Sequence, residues 1–324
     1  MRSDQLVRSK RGVSAPLATT KTLRAERRRS IYRNYDLYLF LLPTFFYFLI
    51  FHYGPMYGVQ IAFKNFTASR GIWGSPWVGL VHFQRFFSSY QFWSLLRNTL
   101  GISLYSLIAG FPVPIILALL LNQIPSKRFR RIVQTITYAP NFISVVVIAG
   151  MLLVFLSPRG GLINAIIELF GGTSIYFMAR PEWFPTIYVL SGIWQGAGFG
   201  SIIYLAALSS IDPQLHEAAI VDGATKFQRI RHIDIPGIVP TAVILLILNT
   251  GTIMNVGFEK AFLLQTPLNL ETSEIISTYV YKVGLVNAQF SFSSAVGLFR
   301  AAINLILIVA VNRFARTVGE TALW

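Results

Sequence analysis

Residues 185–256 read PTIYVLSGIWQGAGFGSIIYLAALSSIDPQLHEAAIVDGATKFQRIRHIDIPGIVPTAVILLILNTGTIMNV. Two apolar runs, Pro185–Leu208 and Ile238–Val256, flank a stretch that holds every acid and base of the passage. A bilayer core about 30 Å thick takes roughly 20 mostly apolar residues as a helix, because backbone polar groups cannot be left unpaired in hydrocarbon. The passage therefore reads as span, polar loop, span. Four further runs fit the same template: Leu37–Val59, Thr99–Leu121, Val133–Leu156 with Pro140 interrupting it, and Phe292–Phe314. The expected fold is all-α, a polytopic membrane protein with six transmembrane helices. The Leu37 run is too long for a signal peptide and follows too long a basic segment, with no small-residue cleavage site behind it.

Composition agrees. Of 324 residues, 54% are hydrophobic and 13% charged, against about 25% charged in soluble domains, and mean hydropathy is +0.56. That excludes a soluble globular enzyme. The net charge of +15 would suit a nucleic-acid binder, but such proteins are not this apolar. The charge belongs to a membrane instead. Nineteen of the 28 Lys and Arg lie in the first 36 residues, the loops after spans two and four, and the tail; the opposite loops hold eight, and Arg300 is the last. The positive-inside rule then places both termini in the cytoplasm. Residues 1–35 form a basic tail, expected to be disordered from Met1 to Lys21, and residues 317–324 a short cytoplasmic one, with the six-helix transmembrane domain over 36–316. The run Arg24–Arg33 fits orientation by charge and equally an anionic-lipid site.

Several chemistries find no residues. Zero cysteines remove disulfides and thiolate metal sites, and His52, His82, His216 and His232 offer no ligand pair at helical spacing. All 13 acids fall outside the six spans, which disfavours coupling to an ion gradient. There is no G-x-x-x-x-G-K-[ST] loop and no Ser/His/Asp or H-E-x-x-H arrangement, so neither cofactors nor catalysis are expected in this chain. Any ATP and Mg would sit on another subunit.

The loop 209–236 is the informative one. Asp212 can cap a helix that starts at Pro213, and Gly223 permits a sharp turn between two short helices. Ala218, Ala219 and Val221 give a small apolar face; Ala224, Phe227 and Ile230 recur at helical spacing beyond it. Phe227, rimmed by Glu217, Asp222 and Lys226, suits docking into a protein groove. An amphipathic helix lying on lipid is the rival reading, weakened by the two acids.

Glu217-Ala218-Ala219, three residues, Gly223, nine residues, then Ile233-Asp234-Ile235-Pro236 resembles the EAA loop (E-A-A-x3-G-x9-I-x-L-P) of permease subunits of binding-protein-dependent ABC importers, with Ile235 in place of Leu. Tyr204–Ile211, Gly161–Asn164 and Pro240 are similar to the carbohydrate branch, the maltose and polysaccharide (LplB-type) permeases, over roughly Tyr38 to Phe314. The resemblance implies an ABC importer type I permease fold. It implies an ATPase-coupling role for Glu217, Ala218, Ala219, Asp222 and Gly223, to which Phe227 is added from the loop's own pattern. It also implies a second homologous permease subunit, two cytoplasmic ATPase subunits and an extracytoplasmic solute-binding protein as partners, with an oligosaccharide or polysaccharide, alginate among the candidates, as cargo.

Neutral sugar recognition needs aromatic faces with amide or hydroxyl groups. Gly192, Gln195, Gly196 and Phe199 fall at i, i+3, i+4 and i+7 of span four with Trp194 beside them, and Asn249, Thr252 and Val256 at the same offsets of span five with Asn255 adjacent. Close helix packing by small and polar residues explains the same pattern. Arg300, inside span six, either lines the cavity or snorkels outward. Trp73, Trp77 and Trp183, with Arg159 and Arg180, suit an interfacial belt or a binding-protein contact. Import of another solute such as glycerol phosphate, and a motor-independent channel, stand as alternatives.

Overall fold

The computed structural model describes residues 33–317. The expectations for the basic tail up to residue 32 and for residues 318–324 lie outside the described residues. The chain divides into two compact units, at Val59 and Gln60. In the first, α1 (Tyr35–Phe48) continues through a π-helical turn, Leu49–Tyr53, into Gly54–Met56. Pro43 stands inside α1 and Pro55 is the second residue of the last piece.

In the second unit, α2 (Phe92–Gly110) runs into α3 (Pro112–Asn122), together one 31-residue apolar stretch. α4 (Lys127–Tyr138) follows, capped by the Ser126 hydroxyl, which accepts from Phe129 N at 3.3 Å. Span three was expected as one interrupted helix over Val133–Leu156. Instead Lys127–Phe142 and Val145–Phe155 are bent by 98°. Pro140 cannot donate to a helical ladder and sits in a 3₁₀ turn, Ala139–Phe142, and Ser144 caps a fresh start for α5 (Val145–Phe155), accepting from Val147 N at 3.4 Å. At about 1.5 Å per residue, α5 covers only about half of the bilayer core. With that bent pair counted as one, six stretches among the described residues are long and apolar enough to cross a membrane.

α6 (Phe184–Ser209) is the central helix and packs against α2, α3, α4 and α8 (Ile235–Gly251). Its glycines divide by role. A Cβ on Gly198 would collide with the Thr137 carbonyl, so glycine there lets α4 lie directly on α6. Gly196 has open space beside it. The short α7 (Pro213–Val221) lies between α6 and α8, α9 (Phe258–Leu264) follows α8, and α10 (Phe290–Thr317) closes the unit, packed along α8.

Three apolar clusters hold the unit together. One joins Ile102, Phe184, Val189, Leu264 and Ile275; a second joins Phe86, Leu95, Met254, Phe292 and Val296; a third, next to the loop, joins Ala118, Tyr204, Leu208 and Ile238. Two buried asparagines fix the connections. Asn164 Nδ2 donates to the carbonyls of Ser157 (2.9 Å) and Ile175 (3.0 Å), and its Oδ1 accepts from Ile175 N (2.8 Å). Asn269 donates to the Leu264 and Met178 carbonyls at 3.1 and 3.2 Å.

Candidate functional site

Span five was expected to continue to Val256, but α8 stops at Gly251, and Thr252–Gly257 leave the helix before α9 begins. Broken backbone at membrane depth costs several kcal/mol per unpaired group unless neighbours supply partners. Here α2 and α10 supply them. The Ser103 hydroxyl donates to the Ile253 carbonyl, and Asn304 Oδ1 accepts from Met254 N at 3.0 Å while its Nδ2 reaches Asn255 Oδ1 at 3.3 Å.

The break opens a cavity of about 470 Å³ lined by Ser103, Ser106, Tyr188, Asn249, Thr252 and Asn255. The three polar residues expected of span five are thus gathered, by a bend in the chain rather than by helical spacing. A second cavity, of about 660 Å³, shares Ser106, Gly110, Pro114, Tyr188 and Gly257 with the first and adds Gly192, Gln195, Gly196, Glu259 and Lys260. Both volumes suit a small-molecule site. Tyr188 lines both, its hydroxyl donating to the Gly257 carbonyl at 3.3 Å. Gln195 Nε2 donates to the Ile143 carbonyl at 3.1 Å, tying α6 to the bend that precedes α5.

Three expected residues lie elsewhere. Trp194 lines a separate apolar cavity of about 350 Å³ with Ile148, Met151 and Phe155, because one step along a helix turns a side chain by about 100° from Gln195. Phe199 stands edge-on to Phe142, ring centroids 6.3 Å apart, and lines none of the three cavities. Arg300 is half-buried on α10, one turn before Asn304, and also lines none of them.

Lys260, one of the eight basic residues of the opposite loops, is 6% exposed on α9. Its Nζ donates to the Tyr188 carbonyl at 2.8 Å and stands 4.7 Å from the centroid of the Tyr188 ring. Burial pulls its pKa down to about 8. Its place directly before the apolar run Ala261–Leu264 was the sequence signal. Ser103 and Asn304 gave no comparable signal, because their partners are distant in the chain. Among the described residues, no group of three or more His, Cys, Asp and Glu could hold a metal ion.

At the other end of α8 lies the loop. Asp212 caps α7, its Oδ1 accepting from Gln214 N at 2.9 Å. Asp222 follows α7, and Gly223 turns the chain at φ +79°, a left-handed conformation, with Ala224 N closing back on the Ala219 carbonyl at 2.8 Å. Thr225 and Gln228 then form a capping box that starts a short helix, Lys226–Arg229, continued by a π turn, Ile230–Asp234, into α8. The two short helices expected on either side of Gly223 are present. Glu217, Ala218, Asp222 and Gly223 are exposed and Ala219 is half-buried. Val221 and Phe227 are 87% and 70% exposed, and Leu215 and Ile220 are exposed beside them.

Beneath this surface Asp234 is fully buried. Its Oδ1 lies 3.3 Å from His216 Nε2 of α7, and its Oδ2 accepts from Gln123 Nε2, just past α3, at 3.0 Å. One carboxylate thus links the loop helix to two spans.

Residues 110–320 match the family described as binding-protein-dependent transport system inner membrane component. The chain is 47% identical over 288 residues to the polygalacturonan/rhamnogalacturonan transport system permease protein YteP of Bacillus subtilis, covering 89% of this chain and 90% of that protein. It is 41% identical over 292 residues to the protein LplB of the same organism, covering 90% and 92%. Among solved structures, a chain of a bacterial ABC transporter that imports the acidic polysaccharide alginate is 45% identical, with a TM-score of 0.84, covering 91% of this chain and 100% of that one. A second structure of the bacterial alginate transporter, in complex with its alginate pentasaccharide-bound periplasmic protein, gives 0.83 at the same identity. The matched loop, the broken helix above it and these likenesses agree, and the chain belongs to the inner membrane components of binding-protein-dependent transport systems.

Proposed function

We propose that this chain is one of two permease halves in an ATP-driven importer of acidic oligo- or polysaccharides, alginate and galacturonans being the candidate cargo. A second homologous permease, two cytosolic ATPase subunits and an extracytoplasmic binding protein complete the machine, and ATP with Mg is handled by the ATPases. Both termini and the loop 209–236 face the cytoplasm.

The observation that carries this reading is the single helical stretch Lys226–Gly251, which joins the exposed loop at one end to the polar cavity at the other. A permease switching between inward-open and outward-open states needs a partner that binds one state better. Closure of the ATPases against Val221, Phe227 and Glu217 would supply that difference. The contact of His216 with Asp234 and the bond from Gln123 would pass the movement to α8 and α3, and so to the cavity walls. Hydroxyls and amides on Ser103, Asn249, Thr252 and Asn255 suit sugar hydroxyls, and the cavity volume suits a few sugar rings at a time. Support for acidic cargo comes from the relatives: alginate and polygalacturonan are both uronate polymers.

Because the chain has no cysteine, Val221→Cys and Phe227→Cys each offer a unique handle. In membranes carrying the whole complex, a short bifunctional reagent is expected to join either position to the ATPase chain. Reaction with lipid-borne reagents alone, with no ATPase adduct, would favour a loop lying on the bilayer and overturn the docking.

A further inference from the structure

We propose that Lys260 is a carboxylate-reading residue of the pathway, its ammonium pairing with uronate groups of the cargo while Gly192 keeps the approach to it open. The inference rests on the acidic-cargo reading above and deepens it.

Lys260 is the one buried cation among the described residues. An ammonium has three donors, and here a single hydrogen bond uses one of them, to the Tyr188 carbonyl. The Tyr188 ring supports one side of the charge. No anion does so: the ion pairs found among the described residues are His216–Asp234 and Lys282–Glu274. Glu259, the neighbour in sequence, lines the same cavity without pairing to Lys260.

A buried charge without a counter-ion is disfavoured, and proteins normally avoid it. The arrangement becomes reasonable if the anion arrives with the cargo. The position supports this, since Lys260 forms part of the wall of the 660 Å³ cavity. A Cβ on Gly192 would touch Nζ at 3.4 Å, so a side chain that extends past Cβ would occupy the space beside the ammonium. A single charge-assisted contact suits transport, which needs recognition strong enough to select and weak enough to release.

The test is direct binding of tetragalacturonate and of its methyl ester, in detergent, to the assembly of both permeases and both ATPases, without binding protein or nucleotide. Wild type is expected to bind the acid about tenfold or more tighter than the ester. Lys260→Gln should abolish that preference and leave ester affinity within about twofold. Lys260→Arg, which keeps the charge, should retain the preference. Gly192→Asp, which sets a carboxylate beside Nζ, should abolish it with Lys260 still in place. If Lys260→Gln keeps the preference, or weakens both ligands equally, Lys260 only braces α6 and the inference fails. Uptake by wild-type proteoliposomes, run alongside, separates the two levels. Uptake of tetragalacturonate with an unaltered preference in Lys260→Gln removes the inference alone. Uptake of no uronate removes the acidic-cargo reading with it.

Discussion

Asp234 sits fully buried between His216 and Gln123, and each neighbour comes from a different element. His216→Ala would leave one carboxylate oxygen without its partner, at a cost of about 1–3 kcal/mol. Thermal unfolding of the detergent-solubilised protein should fall accordingly, and an unchanged midpoint would show that the contact bears no load. Lys260 gives a pH signature. Its pKa is about 8 in the fold against 10.5 ordinarily, so below pH 8 the penalty of a buried charge is fully present. Between 8 and 10.5 the unfolded chain binds more protons, and stability rises with pH. Tyr188 and Glu259 are the titratable groups lining the cavity with it. The unfolding midpoint of wild type relative to Lys260→Gln should climb across that window; a flat difference would contradict the burial. Both His216 and Asp234 were readable as part of the loop, but their pairing was not, since it depends on how α7 folds back on the start of α8. The burial of Lys260 was not legible, because a charge between two spans looks solvated until its contact with Tyr188 is seen.

At the scale of elements, the spans and the loop were legible because hydrophobic length and the Asp212-Pro213 and Gly223 signals are local. The 98° bend and the early end of α8 were not. Pro140 announces a break but not its angle. The unwinding at Thr252 is made tolerable by Ser103 and Asn304, whose contributions cross 150 and 50 residues of chain. Asn249, Thr252 and Asn255 are gathered by that break, whereas α6 runs unbroken through Trp194 and Phe199, and its step of about 100° per residue turns Trp194 away from the cavity that Gln195 lines. Gly223 is a local feature with a global readout. A side chain there faces open space but a left-handed backbone, costing about 1–2 kcal/mol in Gly223→Ala, and proline cannot adopt φ +79° at all. Gly223→Pro should leave ATP hydrolysis running in the assembled complex while uptake collapses. Transport at the wild-type rate would show that the turn plays no part in coupling. Gly198 makes a second test, because a Cβ there strikes the Thr137 carbonyl. Gly198→Val should destabilise the protein by about 1–3 kcal/mol through displacement of α4, read by thermal unfolding.

Across the whole molecule, the division of labour follows from what each region can do. The described residues offer an exposed apolar loop, a helix that leads from it, and a polar cavity at that helix's far end. Energy from a separate chain is the natural complement, and the family is one of transport components that work with binding proteins. The most direct measurement is accumulation of tetragalacturonate inside proteoliposomes that hold both permeases, with binding protein present on the receiving side and the ATPase subunits either included or withheld. Accumulation only when ATPase and hydrolysable ATP are both present is the expected result. Accumulation at the same rate without the ATPase would contradict the division of labour and leave the chain a motor-independent channel.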